Sequence, residues 1–145
     1  MGNCDDPFSL LLSIPYNYTI EMAFENYDIL NTPTARSINT GRLNLFMDYV
    51  NNNKPDCVFI TTWGIDGPPV TSILKYDGRI ITYTVDSSRF SQTYGDIHSY
   101  EIKNIYTDTT THENLVTTNY HAVTNNNLDL LIYRDIVFIH VKRLF

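Results

Sequence analysis

The sequence predicts an α+β domain, with two N-terminal helices packed on one face of a mostly antiparallel sheet of five or six strands. Three observations lead there. Two stretches ahead of residue 52 repeat apolar side chains at helical spacing. The segment Cys57 to Arg89 holds three strand candidates divided by two turns, and most of the remaining chain alternates apolar and polar residues. At 145 residues, 43% of them hydrophobic and 13% aromatic, the chain is long enough to bury a core and has a globular composition.

Residues 1–17 are turn-prone around a short apolar patch, and Pro7 and Pro15 exclude a long helix, so this stretch is expected to be a loosely docked arm. Residues 18–145 then form a single domain. Its first helix places Ile20, Ala23, Phe24 and Tyr27 on one face, with Thr19 as N-cap and Glu21 in the first turn. Asp28-Ile29-Leu30 reads as a short strand, broken at Asn31-Thr32-Pro33-Thr34. The second helix aligns Leu43, Phe46, Met47 and Val50 behind Thr40 as N-cap and stops at the asparagine run before Pro55.

Val58 to Trp63 is β-branched and aromatic, and Gly64 to Pro69 carries the chain back as a stiffened loop. Asp77-Gly78, between VTSILKY and RIITYTV, predicts a hairpin with a two-residue type I′ turn. That loop sets Tyr76 opposite Arg79, Leu74 opposite Ile81, Ser72 opposite Tyr83 and Val70 opposite Val85. One face then carries Val70, Leu74, Tyr76, Ile81, Tyr83 and Val85. Further on, Ile97 to Tyr106 and Leu115 to Val123 read as paired strands joined by a polar loop over Thr107 to Asn114. The run LDLLIY fits a helix or a strand, and Ile136 to Val141 closes the chain as a strand.

Sixteen acidic residues against ten basic ones give a net charge of -6, which repels phosphate backbones and argues against a nucleic-acid partner. No run approaches the roughly 20 apolar residues needed to cross a bilayer as a helix. Cys4 and Cys57, the only cysteines, allow one disulfide and exclude a zinc site built from thiolates alone. Burial as a free thiol is the expectation for Cys57. Cys4 also suits the lipid-bearing first residue of a processed bacterial lipoprotein.

Thr61-Thr62-Trp63, Asp66-Gly67, Pro69-Val70, Leu74 and Tyr76-Asp77-Gly78 are spaced in a way that resembles the central signature of a bacterial domain-of-unknown-function family. That family occurs in small Gram-positive proteins, many of them predicted lipoproteins. The likeness extends over residues 18–95 and departs at Pro68, where the family's turn has a second acidic residue. It implies the fold and an extracytoplasmic or lipid-anchored setting, with no activity attached; a cytoplasmic setting is the alternative.

The candidate binding residues are Trp63, Asp66, Tyr76 and Tyr83. In the loop Trp63 to Pro69 an aromatic platform, a carboxylate and two rigid prolines meet at a sheet edge, although turn formation alone accounts for every residue there except Trp63. Exposed tyrosine supplies contact area at low entropic cost, yet most of the eleven tyrosines are expected to fill a β-rich core. His98, His112, His121 and His140 lack the close spacing of a metal site, so no metal or other cofactor is expected. There is no Gly-x-Ser-x-Gly elbow or phosphate-binding glycine loop. The sequence therefore points to a non-catalytic module binding an unidentified protein or a small polar ligand. An acidic inhibitor or immunity-type protein that meets a basic partner, and a hydrolase using Asp66 with a histidine, are the alternatives.

Overall fold

The computed structural model describes residues 4–34, 36–64, 68–86 and 97–139. Eight strands form one sheet in the order β2-β1-β3-β4-β5-β6-β7-β8. Strands β1 (Ile29–Asn31) and β2 (Ser37–Ile38) are short, whereas β3 (Asp56–Thr62), β4 (Val70–Tyr76), β5 (Ile81–Asp86), β6 (Ile97–His112), β7 (Leu115–Thr124) and β8 (Asp129–Phe138) pair in sequence order, each antiparallel to the next. Among the described residues β1 and β3 make the single parallel pair. The described helices are short: α1 (Pro7–Leu12), α2 (Ile20–Glu25) and α3 (Thr40–Asn51).

This overturns the expectation of an α+β domain with two N-terminal helices on five or six strands. The chain is mostly sheet, curled until its two margins approach each other. The polar stretch from Thr107 to His112 is strand rather than loop, and its turn is the pair Glu113-Asn114, with Glu113 at φ 54°. All of LDLLIY after its first leucine, with the residues that follow, forms one continuous strand, β8. Threonines alternating along two long paired strands satisfy the β geometry without an apolar stripe, because their outward face needs no burial.

One face of the curled sheet holds the main core. Helix α3 lies against it, burying Leu43 and Phe46 among Ile29, Val58, Ile60, Leu74, Ile81, Tyr120 and Tyr133. Two polar ties fix the helix: Arg42 grips Asp56 of β3 with both guanidinium nitrogens at 2.7 and 2.5 Å, and Tyr120 of β7 donates to Asn44 at 2.6 Å. The β7–β8 register shifts between Tyr120 and His121. An extra residue at such a bulge turns two neighbours to one side, so consecutive Ile132 and Tyr133 are both buried.

The opposite face of β3 and β4 is covered by the N-terminal arm. Asp6 caps α1, accepting from the Ser9 backbone, and Pro7 occupies the first turn, where its missing N–H goes unneeded. Leu11 then packs on Ile73 beside Cys4, with Cys57 and Phe59 at the margin. Cys4 and Cys57 form a disulfide, so the expectation of a free Cys57 thiol fails; the same Cys4 sulfur cannot also carry a lipid thioether. A strand that is covered on both faces has no solvated side, which is why Ser72, Ile73 and Leu74 are buried in succession.

Helix α2 begins at its expected cap, Thr19, which accepts from the Met22 backbone at 3.1 Å. It ends in a Schellman motif, Asp28 N–H bonding to Ala23 and Tyr27 N–H to Phe24. Tyr27 takes the left-handed position at φ 62° that glycine fills without a steric penalty. A side chain held there costs roughly 1–2 kcal/mol. Ala23 is the residue that α2 buries, while Phe24 and Tyr27 point to solvent, so the expected apolar face is only partly used.

The β4–β5 hairpin forms, with a correction to its register. Tyr76 pairs with Ile81, Leu74 with Tyr83 and Ser72 with Val85, so four residues make the connection. Asp77 explains the longer loop, because its carboxylate accepts from the Arg79 and Ile80 backbones at 2.8 and 2.7 Å. Gly78 supplies the positive φ of 99°.

Candidate functional site

The two margins of the sheet meet without a backbone ladder. The Asn31 amide of β1 donates to the Arg134 carbonyl at 2.7 Å and accepts from the Arg134 N–H at 3.4 Å, standing in for a peptide group of a neighbouring strand. Ser37 of β2 repeats the device, donating to the Arg134 carbonyl at 3.1 Å and accepting from the Ile136 N–H at 2.8 Å. Tyr133, turned inward by the bulge, donates to the Leu30 carbonyl at 3.2 Å and lies 2.8 Å from the Thr40 hydroxyl. These side chains hold β8 near β1 and β2.

Above this seam lies an open cleft of about 330 Å³. Residues Asn31, Thr32 and Pro33 line it from β1 and the turn that follows; Thr62, Trp63 and Gly64 line it from the end of β3; Leu131 to Arg134 and Ile136 line it from β8. The volume falls at the small end of the range for small-molecule sites. Trp63 is held in place because its backbone N–H bonds to the Asn31 carbonyl at 2.9 Å and its ring packs on the Tyr18, Ala23 and Leu30 cluster. Half-buried, it keeps part of its indole toward solvent.

Of the four residues expected to bind, Trp63 alone is seen to line this cleft. Tyr76 and Tyr83 are buried in the main core, and burial raises the Tyr83 phenol above its ordinary pKa. Tyr76 donates to the Gly78 carbonyl at 2.9 Å, so it braces the hairpin turn. Asp66 lies outside the described residues. Asn31 and the β8 residues were not legible as site residues, since the seam joins positions about a hundred apart in sequence.

The cleft lining is mixed apolar and polar, with Arg134 as the charged residue among those described. Among the described residues it contains no carboxylate, imidazole, thiol or amine. Its phenol, Tyr133, is pushed up to about 12 by burial and remains protonated at neutral pH. Trp63 provides a flat apolar surface with the Thr62 hydroxyl beside it, while the Asn31 amide ties the seam and the buried Thr32 hydroxyl accepts from the Arg36 N–H at 3.1 Å.

A second polar cluster sits on the outer face of β6, β7 and β8. The His121 ring stacks on Tyr106 with centroids 4.5 Å apart, and its Nε2 and Nδ1 face Asp108 at 2.6 Å and Asp129 at 2.9 Å. Tyr106 also donates to Asp129. The Asn119 amide first and His121 second hold the Asp108 carboxyl below its usual range, and Tyr106 first and His121 second do the same for Asp129. The two carboxylates lie off different nitrogens of the ring, so they brace it and do not converge on a common point. Among the described residues no group of three or more histidine, cysteine, aspartate or glutamate side chains is placed to hold a metal ion. His98 and His112 are exposed on β6 and His140 is outside the described residues, so no described histidine joins the cleft to form the expected Asp66–histidine pair.

No described helix is long and apolar enough to cross a membrane. No family model, curated protein or solved structure matches this chain.

Proposed function

We propose that the domain is a non-catalytic binding module whose cleft between β1 and β8 takes a small polar ligand with one flat or apolar face. The observation that carries this reading is the position of Trp63, the only tryptophan in the chain, packed at the rim of that cleft. A ligand stacked on the indole would offer a hydroxyl or amide group to Thr62, since the Asn31 amide and the Thr32 hydroxyl are already engaged within the fold. Among the described residues the lining has no group that could exchange a proton near neutral pH, which supports binding over turnover.

The same reading sets the domain in an oxidising compartment outside the cytoplasm. Its support is the Cys4–Cys57 disulfide, a bond that reducing cytosol does not keep. The resemblance to a bacterial family of small proteins, many of them predicted lipoproteins, would agree with that setting, whereas a lipid on Cys4 would compete with the bond.

Trp63 fluorescence tests the cleft directly. Monosaccharides, free amino acids and nucleosides, titrated one class at a time, should give a saturable change with one class. That change should disappear in Leu131→Arg, which fills the cleft from an exposed position of β8. A flat response to every class, or a change that survives Leu131→Arg, sinks the reading.

A further inference from the structure

The N-terminal segment that covers the sheet has an outward side of its own. Leu12, Tyr16, Met22, Phe24 and Tyr27 are exposed there, with Tyr16 and Tyr27 at 80% and Phe24 at 61%. Five large hydrophobic side chains are thus exposed within sixteen residues, the two tyrosines more fully than any other large hydrophobic residue described. Ile14, between α1 and α2, packs into both cores beneath the segment, so both helices belong to one covering layer.

Tyr27 gives an independent reason to treat this as a functional surface. It occupies the left-handed cap of α2, where glycine would close the same Schellman motif without strain, and its ring is spent on solvent. Strain kept for an exposed aromatic residue points to a use for that residue outside the fold. Charge identifies the partner. Asp5, Asp6, Glu21 and Glu25 are exposed on the same N-terminal segment, and the first basic residue of the chain is Arg36.

We infer that the outer side of residues 12–27, centred on Phe24 and Tyr27, docks a basic protein surface: an apolar patch ringed by lysine and arginine. Aromatic residues would supply the desolvated centre and the carboxylates a rim that steers association. An anionic bilayer would be repelled by the same acids, which favours a protein over a lipid surface. This inference is independent of the cleft.

The test uses two fluorescent amphipathic helical peptides of equal length, one of leucine and lysine and one of leucine and glutamate, with phosphatidylglycerol vesicles as a third probe. The lysine peptide should bind the intact protein, at least tenfold more tightly than the glutamate peptide, and lose affinity as salt rises. Tyr27→Gly combined with Phe24→Ser should reduce that binding at least tenfold, while thermal unfolding shows the fold retained. Equal binding of both peptides, no binding of the lysine peptide, unchanged binding by the double variant, or preference for the vesicles would overturn the proposal. So would a dimer in light scattering that the double variant dissolves, because the face would then be occupied by a second copy.

Discussion

Tyr18 donates its hydroxyl to the Asp28 carboxylate at 2.7 Å, and both residues are buried between the covering arm and β1. Thr61 donates to the same oxygen at 2.8 Å, and Asn26 to the other at 2.7 Å. Burial nonetheless outweighs these donors and raises the Asp28 carboxyl above its ordinary range. A carboxyl raised by folding favours the native state while it is protonated, and that contribution is lost as pH rises through the folded value. Asp28→Asn, which keeps an acceptor for Tyr18 and Thr61, should therefore gain stability relative to the parent between about pH 4 and pH 7. Urea midpoints of both proteins across that interval check the sign; a gap that narrows with rising pH refutes it.

Reduction of the Cys4–Cys57 bond should release the arm from β3. The cysteines are 53 residues apart in sequence, for which loop-closure entropy gives roughly 4 kcal/mol as the stabilisation. A midpoint shift corresponding to about 2–4 kcal/mol is expected on adding reductant, and Cys4→Ser with Cys57→Ser should be insensitive to it. Thiol titration of the unfolded, unreduced protein should find no free sulfhydryl.

The β4–β5 turn depends on two side-chain choices. Gly78→Ala should lower stability by about 1 kcal/mol, because φ 99° is unfavourable for any side chain, even though a methyl there would meet Pro55 at an ordinary 3.6 Å. Asp77→Ala removes the acceptor of two backbone N–H groups and should lower stability as well. Thermal melts of both variants measure this, and a neutral Gly78→Ala would contradict the turn geometry.

Acid should loosen the outer face of β6 to β8. Asp108 and Asp129 have carboxyls lowered by folding, so their contribution is complete above the unfolded value and disappears as pH falls through the folded one. The stability difference between the parent and Asp108→Asn should be present at about pH 5 and shrink below about pH 4. A difference that is constant from pH 5 to pH 2 would show that the Asn119 and His121 contacts to Asp108 do not form in solution.

Local patterns in the chain anticipated the β4–β5 hairpin and its faces more securely than its register. The actual pairing differs by two residues, an even step, so Leu74, Tyr76, Ile81 and Tyr83 still face the core. Helix α3 was legible from Leu43, Phe46, Met47 and Val50, all of which pack in the core. The β6–β7 pair was legible from Ile97 to Tyr106 and Leu115 to Val123, but its outer end, Thr107 to His112, was hidden because threonine and aspartate serve exposed strands and loops alike. Tyr27 fitted a helical stripe, but α2 stops at Glu25 and the left-handed cap turns that ring outward. At the seam, Asn31 and Arg134 are 103 positions apart, and nothing in either neighbourhood signals the other.

A main-chain ladder fixes adjacent strands near 4.8 Å apart, but a bridge built from the Asn31 and Ser37 side chains imposes no such spacing. The circumference of the sheet can thus widen at one place while every strand keeps its partners, as a collar loosens at its clasp. Trp63 sits beside that clasp, so a widening there would open the cleft before it broke any strand pairing.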